Sequence, residues 1–336
     1  MDETPPEADP LTAFGKTILQ PGLIWACGMV DGHAELMEDN APPADCAFRW
    51  IHLNLSDQRS LSWVERSVAL PPAIHQAFIA PEDGQRGMAA AGHIALVLHD
   101  FERDFDRLDT GRTGALHIVA GPGILLTGRR HPLHSADIVR RRIAGGARIE
   151  DAASALDLLL GTLADTLDSR VRDVTNDIVA AEDDLLGDGS APQMRELVTA
   201  RRLCAQLHRM IAGARTALQR AEGEPEFPVD LASPIARAVQ RLSALDADVV
   251  SAQTQLRLLR DELDLQAAQR TNRNIYFLSI MTALMMPATL ITGFFGMNTG
   301  GLPFHGAAGT LFAGIAAVLS SLGTYFALRL MGFVRQ

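Results

Sequence analysis

The residues best suited to handling an ion in this chain are neutral ones. Gly296-Met297-Asn298 closes an uncharged run that begins at Ile275, and Asn298 brings a side-chain carbonyl oxygen to its end. Gly296 is itself a helix-stopping residue, and a helix ending there points its partial negative charge at the same place. Behind the motif, Ile275, Leu278, Thr282, Met286, Thr289, Gly293 and Gly296 recur at steps of three or four, so one helix face carries them all. That face offers hydroxyls, a thioether and small residues, with no fixed charge. Such groups hold a cation through its water shell, which suits an ion like Mg2+ that dehydrates reluctantly. Small residues and threonines equally suit a tight helix–helix seam, and spacing alone does not separate the two.

Two stretches, 275–295 and 307–328, contain no charged residue. Each has the length of about 20 helical residues needed to cross a hydrocarbon core. The connection between them, 296–306 (GMNTGGLPFHG), is short, so the spans form an antiparallel hairpin. Arg260, Arg270 and Arg273 precede the first span, Arg329 and Arg335 close or follow the second, and the connection has neither Lys nor Arg. The positive-inside rule then puts the connection outside and both termini, including the short tail 329–336, in the cytoplasm. His305 in the connection is placed to meet an incoming ion.

The elements in front of the spans complete an α+β membrane protein. Residues 1–20 read as a disordered tail, acidic and proline-rich over 1–10. Residues 21–148 read as an α/β cytoplasmic domain, with strand-like runs at 22–30, 48–55, 93–101, 115–121 and 123–128 and helix-like segments SLSWVERSV and PPAIHQAFI between Gly/Pro turns. A helical hairpin follows over 149–233. Leu156, Leu159, Leu160, Leu163, Leu167, Val171, Val174 and Ile178 mark its first helix, GDGSAP (187–192) its break, and 193–222 its second helix. Ser233 then offers an N-cap with Pro234 at the first helical position. No breaker follows until Pro287, so the stalk helix 234–274 continues into the first span, a helix on the order of 90 Å long at 1.5 Å per residue. Ile235, Val239, Leu242, Val249, Leu256 and Leu263 keep a coiled-coil-like spacing, with Asp246, Gln253 and Arg260 between them. Such a helix needs neighbours, from the hairpin on one side and symmetry mates on another. Two spans cannot enclose a pore, so conduction requires an oligomer closed by symmetry.

Composition narrows the function classes. A formal net charge of −10 argues against a nucleic-acid partner. Cys27, Cys46 and Cys204 are scattered and read as reduced thiols without metal-ligand spacing. There is no Walker loop, no GxGxxG and no nucleophile constellation, which excludes an ATP-driven pump and leaves neither catalysis nor a cofactor to expect. His131 and His134 in HPLH read as an incidental pair, and Glu182, Asp183 and Asp184 as a solvated helix end. A poreless coiled-coil scaffold would leave the Gly-Met-Asn motif and the Thr/Met/Gly stripe without a purpose.

The segment MMPATLITGFFGMN (285–298), with a second span ending in Arg near the C-terminus, resembles the CorA metal-ion transporter family. Members are homopentamers, so the resemblance implies self-association in the lipid bilayer. It implies an outer ion filter at Gly296, Met297 and Asn298, with Asn298 acting through the hydration shell. It also implies that Asn272, Leu278, Met286, Thr289 and Gly293 face the path, joining Ile275 and Thr282 of the stripe. Within the family the sequence is most similar to the ZntB zinc-transporter branch. TGGLP (299–303) stands where the magnesium branch usually carries acidic residues, and RWIHLNL with LPPAIHQAF, and TGRRHPLHSADIV (127–139), resemble the ZntB cytoplasmic domain. The implied cargo is Zn2+ across the inner (cytoplasmic) membrane, with Mg2+, Co2+, Ni2+ or Cd2+ also in range and a CorA-type magnesium/cobalt channel as the alternative. Asp261 matches a position where magnesium-branch relatives place an aspartate of an intersubunit regulatory metal site, although Arg260 beside it departs from that setting.

Overall fold

The computed structural model describes residues 22–30, 33–37, 46–67, 70–81, 84–103, 111–186, 194–296 and 307–333. The chain divides into two units, Met1–Arg257 and Leu258–Gln336. In the first unit, seven strands make one mixed sheet: β1 (Leu23–Val30), β2 (His33–Met37), β3 (Arg49–Asn54), β4 (Arg86–Ala90), β5 (His93–Phe101), β6 (Thr113–Gly121) and β7 (Ile124–Arg129). Their order is β2-β1-β3-β7-β6-β5-β4. Only β3 and β7 pair in parallel; the other neighbours are antiparallel. Local chemistry sets two of the turns. Ala91 and Gly92 both have positive φ (48° and 71°), as a two-residue hairpin between β4 and β5 requires. Pro122 before Gly123 (φ 68°) is the pattern of a type II turn between β6 and β7.

Helices cover both faces, which is why the central strands are apolar throughout instead of alternating. On one face α1 (Gln58–Ser67) and α2 (Pro72–Ile79) bury Trp63, Val64, Ile74 and Phe78 against Ile51, Leu53, Val119 and Leu126. The other face receives α3 (His134–Ala144), α4 (Ala152–Leu186) and α5 (Met194–Glu222). There Trp50 Nε1–H donates to Thr127 Oγ1 at 2.9 Å, His52 Nδ1 lies 2.8 Å from the same oxygen, and Trp25 stacks on the His52 ring. Burial, and then the charge of Arg129, pushes His52 down to about 3, so its imidazole is neutral. Helix α5 runs so close to β4 that a Cβ on Gly87 would sit 1.9 Å from the Ala217 carbonyl oxygen. Strands β2 and β4 escape the sequence pattern. HAELM and RGMAA contain no β-branched residue; β2 pairs at one edge of the sheet, and β4 at the other edge is also covered by α5.

The long helix α6 (Ala232–Gly296) starts one residue before its expected cap, Ser233. A 3-10 turn, Val229–Leu231, runs directly into it, anchored by buried Leu231. Ser233 is therefore inside the first turn, and its hydroxyl accepts from the Arg237 guanidinium instead of capping. Pro234 still lies in that turn, where the missing N–H breaks no helix bond. Ile235, Leu242, Val249 and Leu256 are buried, and α6 is tied to the hairpin of its own chain. Arg241 bonds Asp165 at 2.7 Å, Asp246 meets His208 at 2.8 Å and Arg215 at 3.3 Å, and Gln253 Nε2–H donates to the Cys204 carbonyl at 3.3 Å. Of the intervening polar positions, Asp246 and Gln253 thus serve the hairpin. Helix α7 (Ala307–Leu330) ends the described chain, and α6 and α7 are both long and apolar enough to cross a membrane.

Asp100 joins the sheet to α3 and α4. Its buried carboxylate accepts from the Ser135 backbone N–H at 2.8 Å, the Ser135 hydroxyl at 3.0 Å and the Phe101 N–H at 2.8 Å, with Thr166 Oγ1 3.2 Å from Ser135 Oγ. Burial pushes Asp100 up from 3.8 to about 6 against the pull of these donors and of Arg129. Between those values the native state binds a proton the unfolded chain has released, so the stability from this group falls as pH rises from 3.8 to about 6 and stays lost above. The interval corresponds to roughly 3 kcal/mol. Asp100→Asn is expected to flatten that part of the profile. Trp25, Trp50 and Trp63, the chain's three tryptophans, all lie in the first unit. Tryptophan-fluorescence melts of the full chain between about pH 4 and 7 therefore read this unit, and an unchanged slope in the variant would contradict the assignment.

Candidate functional site

In the second unit α6 and α7 form a hairpin, and the faces of α6 differ in kind. Ala283, Leu284, Pro287, Ala288, Ile291 and Phe295 are half-buried and share one face. Helix α7 meets them with small side chains: Gly309 and Ala313 are buried, and Ala317 and Ser321 are half-buried. Between helices in lipid there is little hydrophobic drive, and small residues let the backbones approach until dispersion and hydrogen bonds hold them. Ser321 Oγ–H donates to the Leu284 carbonyl at 2.9 Å, and the Phe295 and Phe312 rings lie with centroids 6.3 Å apart. Positions 309, 313, 317 and 321 form a small-xxx-small repeat that was legible in the sequence and that the reading of spans alone passes over.

The stripe from Ile275 to Gly293 lies on a different face. Ile275, Leu278, Thr282, Met286, Thr289 and Gly293 are all exposed within the subunit, Leu278 by 68% and Met286 by 71%. The intrachain seam does not use them. Thr282 Oγ1–H donates to the Leu278 carbonyl at 2.8 Å and Thr289 Oγ1–H to the Met285 carbonyl at 2.9 Å. Each hydroxyl proton is committed to its own helix, so the free lone pairs make the oxygen an acceptor toward its surroundings. An acceptor of this kind suits the O–H groups of a cation's hydration water. Along the same face runs an open groove of ≈ 550 Å3 bounded by Met281, Thr282, Met285, Met286, Thr289 and Leu290.

At the far end, Gly296 is the last residue of α6 and is exposed, with nothing within 4 Å of where a Cβ would stand. Met297, Asn298 and His305 lie outside the described residues. At the other end Asn272 and Asp261 are exposed. Arg260 Nε is 3.9 Å from Asp264, and the Arg273 guanidinium sits 5.6 Å from the Phe277 ring centroid where the apolar stretch begins. Among the described residues no group of three or more His, Cys, Asp or Glu is arranged to hold a metal. His134 opens α3, and burial together with Arg170, Arg141 and Arg103 holds its imidazole below the ordinary value, surroundings that oppose a cation. His131 is exposed, and so are Glu182, Asp183 and Asp184 near the end of α4. The three cysteines are buried and none is in a disulfide. Burial, and then Cys46, pushes the Cys27 thiol up to about 12, which removes it as a thiolate ligand.

Residues 45–330 match the family model described as CorA-like Mg2+ transporter protein. The zinc transport protein ZntB of Pectobacterium atrosepticum is 23% identical over 256 residues, covering 76% of this chain and 78% of that protein. Among solved structures, full-length CmaX superposes with a TM-score of 0.73 at 20% identity, over 92% of this chain and 98% of that one. The complete CorA magnesium transporter of Methanocaldococcus jannaschii gives a TM-score of 0.75 at 14% identity, again over 92% and 98%. At these identities the structural likeness establishes the fold.

Ala313 of α7 is buried, so Ala313→Leu is expected to destabilise the hairpin by about 1–3 kcal/mol through overpacking. Val318, exposed by 68% on the same helix, should accept leucine without effect. Thermal midpoints of the detergent-solubilised full chain, read by size-exclusion after heating, check this. Equal midpoints for the two variants would contradict the seam.

Proposed function

The chain belongs to the CorA-like Mg2+ transporter protein family, and on that premise we propose that it is one subunit of a homopentamer that carries Zn2+ across the inner (cytoplasmic) membrane. The observation that carries this reading is the exposed face of α6, where Leu278, Thr282, Met286 and Thr289 are left open by the second span. One hairpin cannot enclose a path, whereas several such faces around an axis can. The path then runs from Asn272 and Ile275 past Gly293 to an outer filter of Gly296, Met297 and Asn298. Asn298 supplies a neutral carbonyl that bonds the ion's water, helped by the negative end of the α6 dipole. His305 belongs to the same outer connection in sequence. Arginines on one side of the spans favour cytoplasmic termini.

The lining binds and orients water; it has no group that would make or break a covalent bond, and the cation is cargo, not cofactor. Zinc as the cargo rests on the likeness to proteins described as zinc transport protein ZntB and on the absence of a carboxylate in TGGLP (299–303). A hydrated ion passing neutral acceptors is only modestly selected. Co2+, Ni2+ and Cd2+ are expected to compete with zinc within about tenfold, ~1.4 kcal/mol, and Mg2+ more weakly. Asp261 is retained as a candidate for a regulatory metal site between subunits.

Two measurements in one proteoliposome assay test the reading. Asn298→Ala is expected to cut zinc flux by roughly tenfold or more while oligomer size is unchanged, in line with the loss of a hydrogen bond to a charged hydrate. Normal flux through a correctly inserted variant would remove Asn298 from the filter. Titration of each metal against fixed zinc sets the cargo, and strong Mg2+ uptake without zinc uptake would assign the chain to magnesium/cobalt conduction.

A further inference from the structure

The first unit holds a second feature that ion passage does not use: a cavity of ≈ 700 Å3 between α5 and the β5–β6 end of the sheet. Its walls are fixed by two glutamine amides. Gln85 Nε2–H donates to the Met210 carbonyl at 3.1 Å, and Gln85 Oε1 accepts from the His99 backbone N–H at 3.2 Å, which pins α5 to β5. Gln206 Nε2–H donates to the Gly111 carbonyl at 2.7 Å, which pins α5 to the chain entering β6. The cavity is thus built by the fold, not left by a loose surface.

Its lining is rich in donors. Arg112 and Arg209 supply guanidinium groups, His99 and His131 imidazoles, and Glu102 is the one carboxylate among the described lining residues. In a chain of net charge −10 this is a local positive excess. The side chains of Arg209 and His131 have no hydrogen bond or ion pair among the described residues. A metal is not the occupant, because no metal-holding group of His, Cys, Asp and Glu is found there among the described residues. Apart from the imidazoles no aromatic side chain among the described residues lines the cavity, so these residues offer a nucleobase no ring to stack on. What remains is an occupant recognised by negative charge and by several acceptor oxygens, which planar guanidinium forks match. The volume falls within the ordinary range for small-molecule sites. We propose that this cavity binds a small phosphate-class polyanion, with Arg209 and Arg112 as the principal contacts.

Pyrophosphate is the probe, used on the full-length chain in detergent with a chelator present throughout. Calorimetric titration is compared with sodium chloride at matched ionic strength. Saturable binding is expected for the native chain, weakened about tenfold or more in Arg209→Gln through loss of a charge-assisted bond. Arg195→Gln, at an exposed arginine on the same helix outside the cavity, should leave binding unchanged. Unchanged tryptophan fluorescence in each variant verifies the fold. No saturable heat, heat that chloride reproduces, or equal affinity in Arg209→Gln would overturn the site. None of these outcomes depends on which cation is transported.

Discussion

A doubly charged ion stripped of water and placed in hydrocarbon costs tens of kcal/mol, and the described membrane-length stretches of α6 and α7 place no ionised side chain there to offset it. On the proposed reading the ion keeps its hydration, and the protein keeps a hydrated path open. That constraint sorts the side chains of α6. A helix in lipid has its backbone satisfied internally, so its faces are free to specialise. One face, from Ala283 to Phe295, closes on the small residues of α7. Another, from Ile275 to Gly293, carries threonine oxygens that can only accept, because their protons already serve the Leu278 and Met285 carbonyls.

The same helix also belongs to the first unit, where its role is structural. Ile235, Leu242, Val249 and Leu256 are buried, and Arg237, Arg241, Asp246 and Gln253 bond to α4 and α5. The coiled-coil-like stripe is therefore occupied within one chain over this part. Association between subunits has to draw on other surfaces, and the apolar exposure of the second unit, with Leu278, Met281, Met285 and Leu290 each more than 60% exposed, supplies one.

Much of this was legible in the amino-acid order because it is local. Uncharged length marks the spans, and runs of β-branched and aromatic residues mark the five central strands. Proline-glycine turns mark their ends. What escaped was set by partners far away in sequence. Strands β2 and β4 form because an edge is available to them, and α6 starts early because Leu231 is buried. Which face of α6 closes on α7 needed α7 in place, since the spacing of the stripe fits a seam as well as a lining. The Asp100–Ser135–Thr166 junction and the Gln85–Met210 clamp join residues 31 to 125 positions apart, and no local pattern announces them.

The central claim is that the outward stripe of α6 borders water on the ion's path. Cys27, Cys46 and Cys204 are buried, so cysteines introduced singly at Thr282, Met286 and Thr289, and for comparison at Leu284 and Ala288, can be probed with a small charged thiol reagent during zinc flux in liposomes. The account predicts modification and block at the first three positions and neither at the last two. Block at Leu284 and Ala288 instead, or at none of the five, would contradict it.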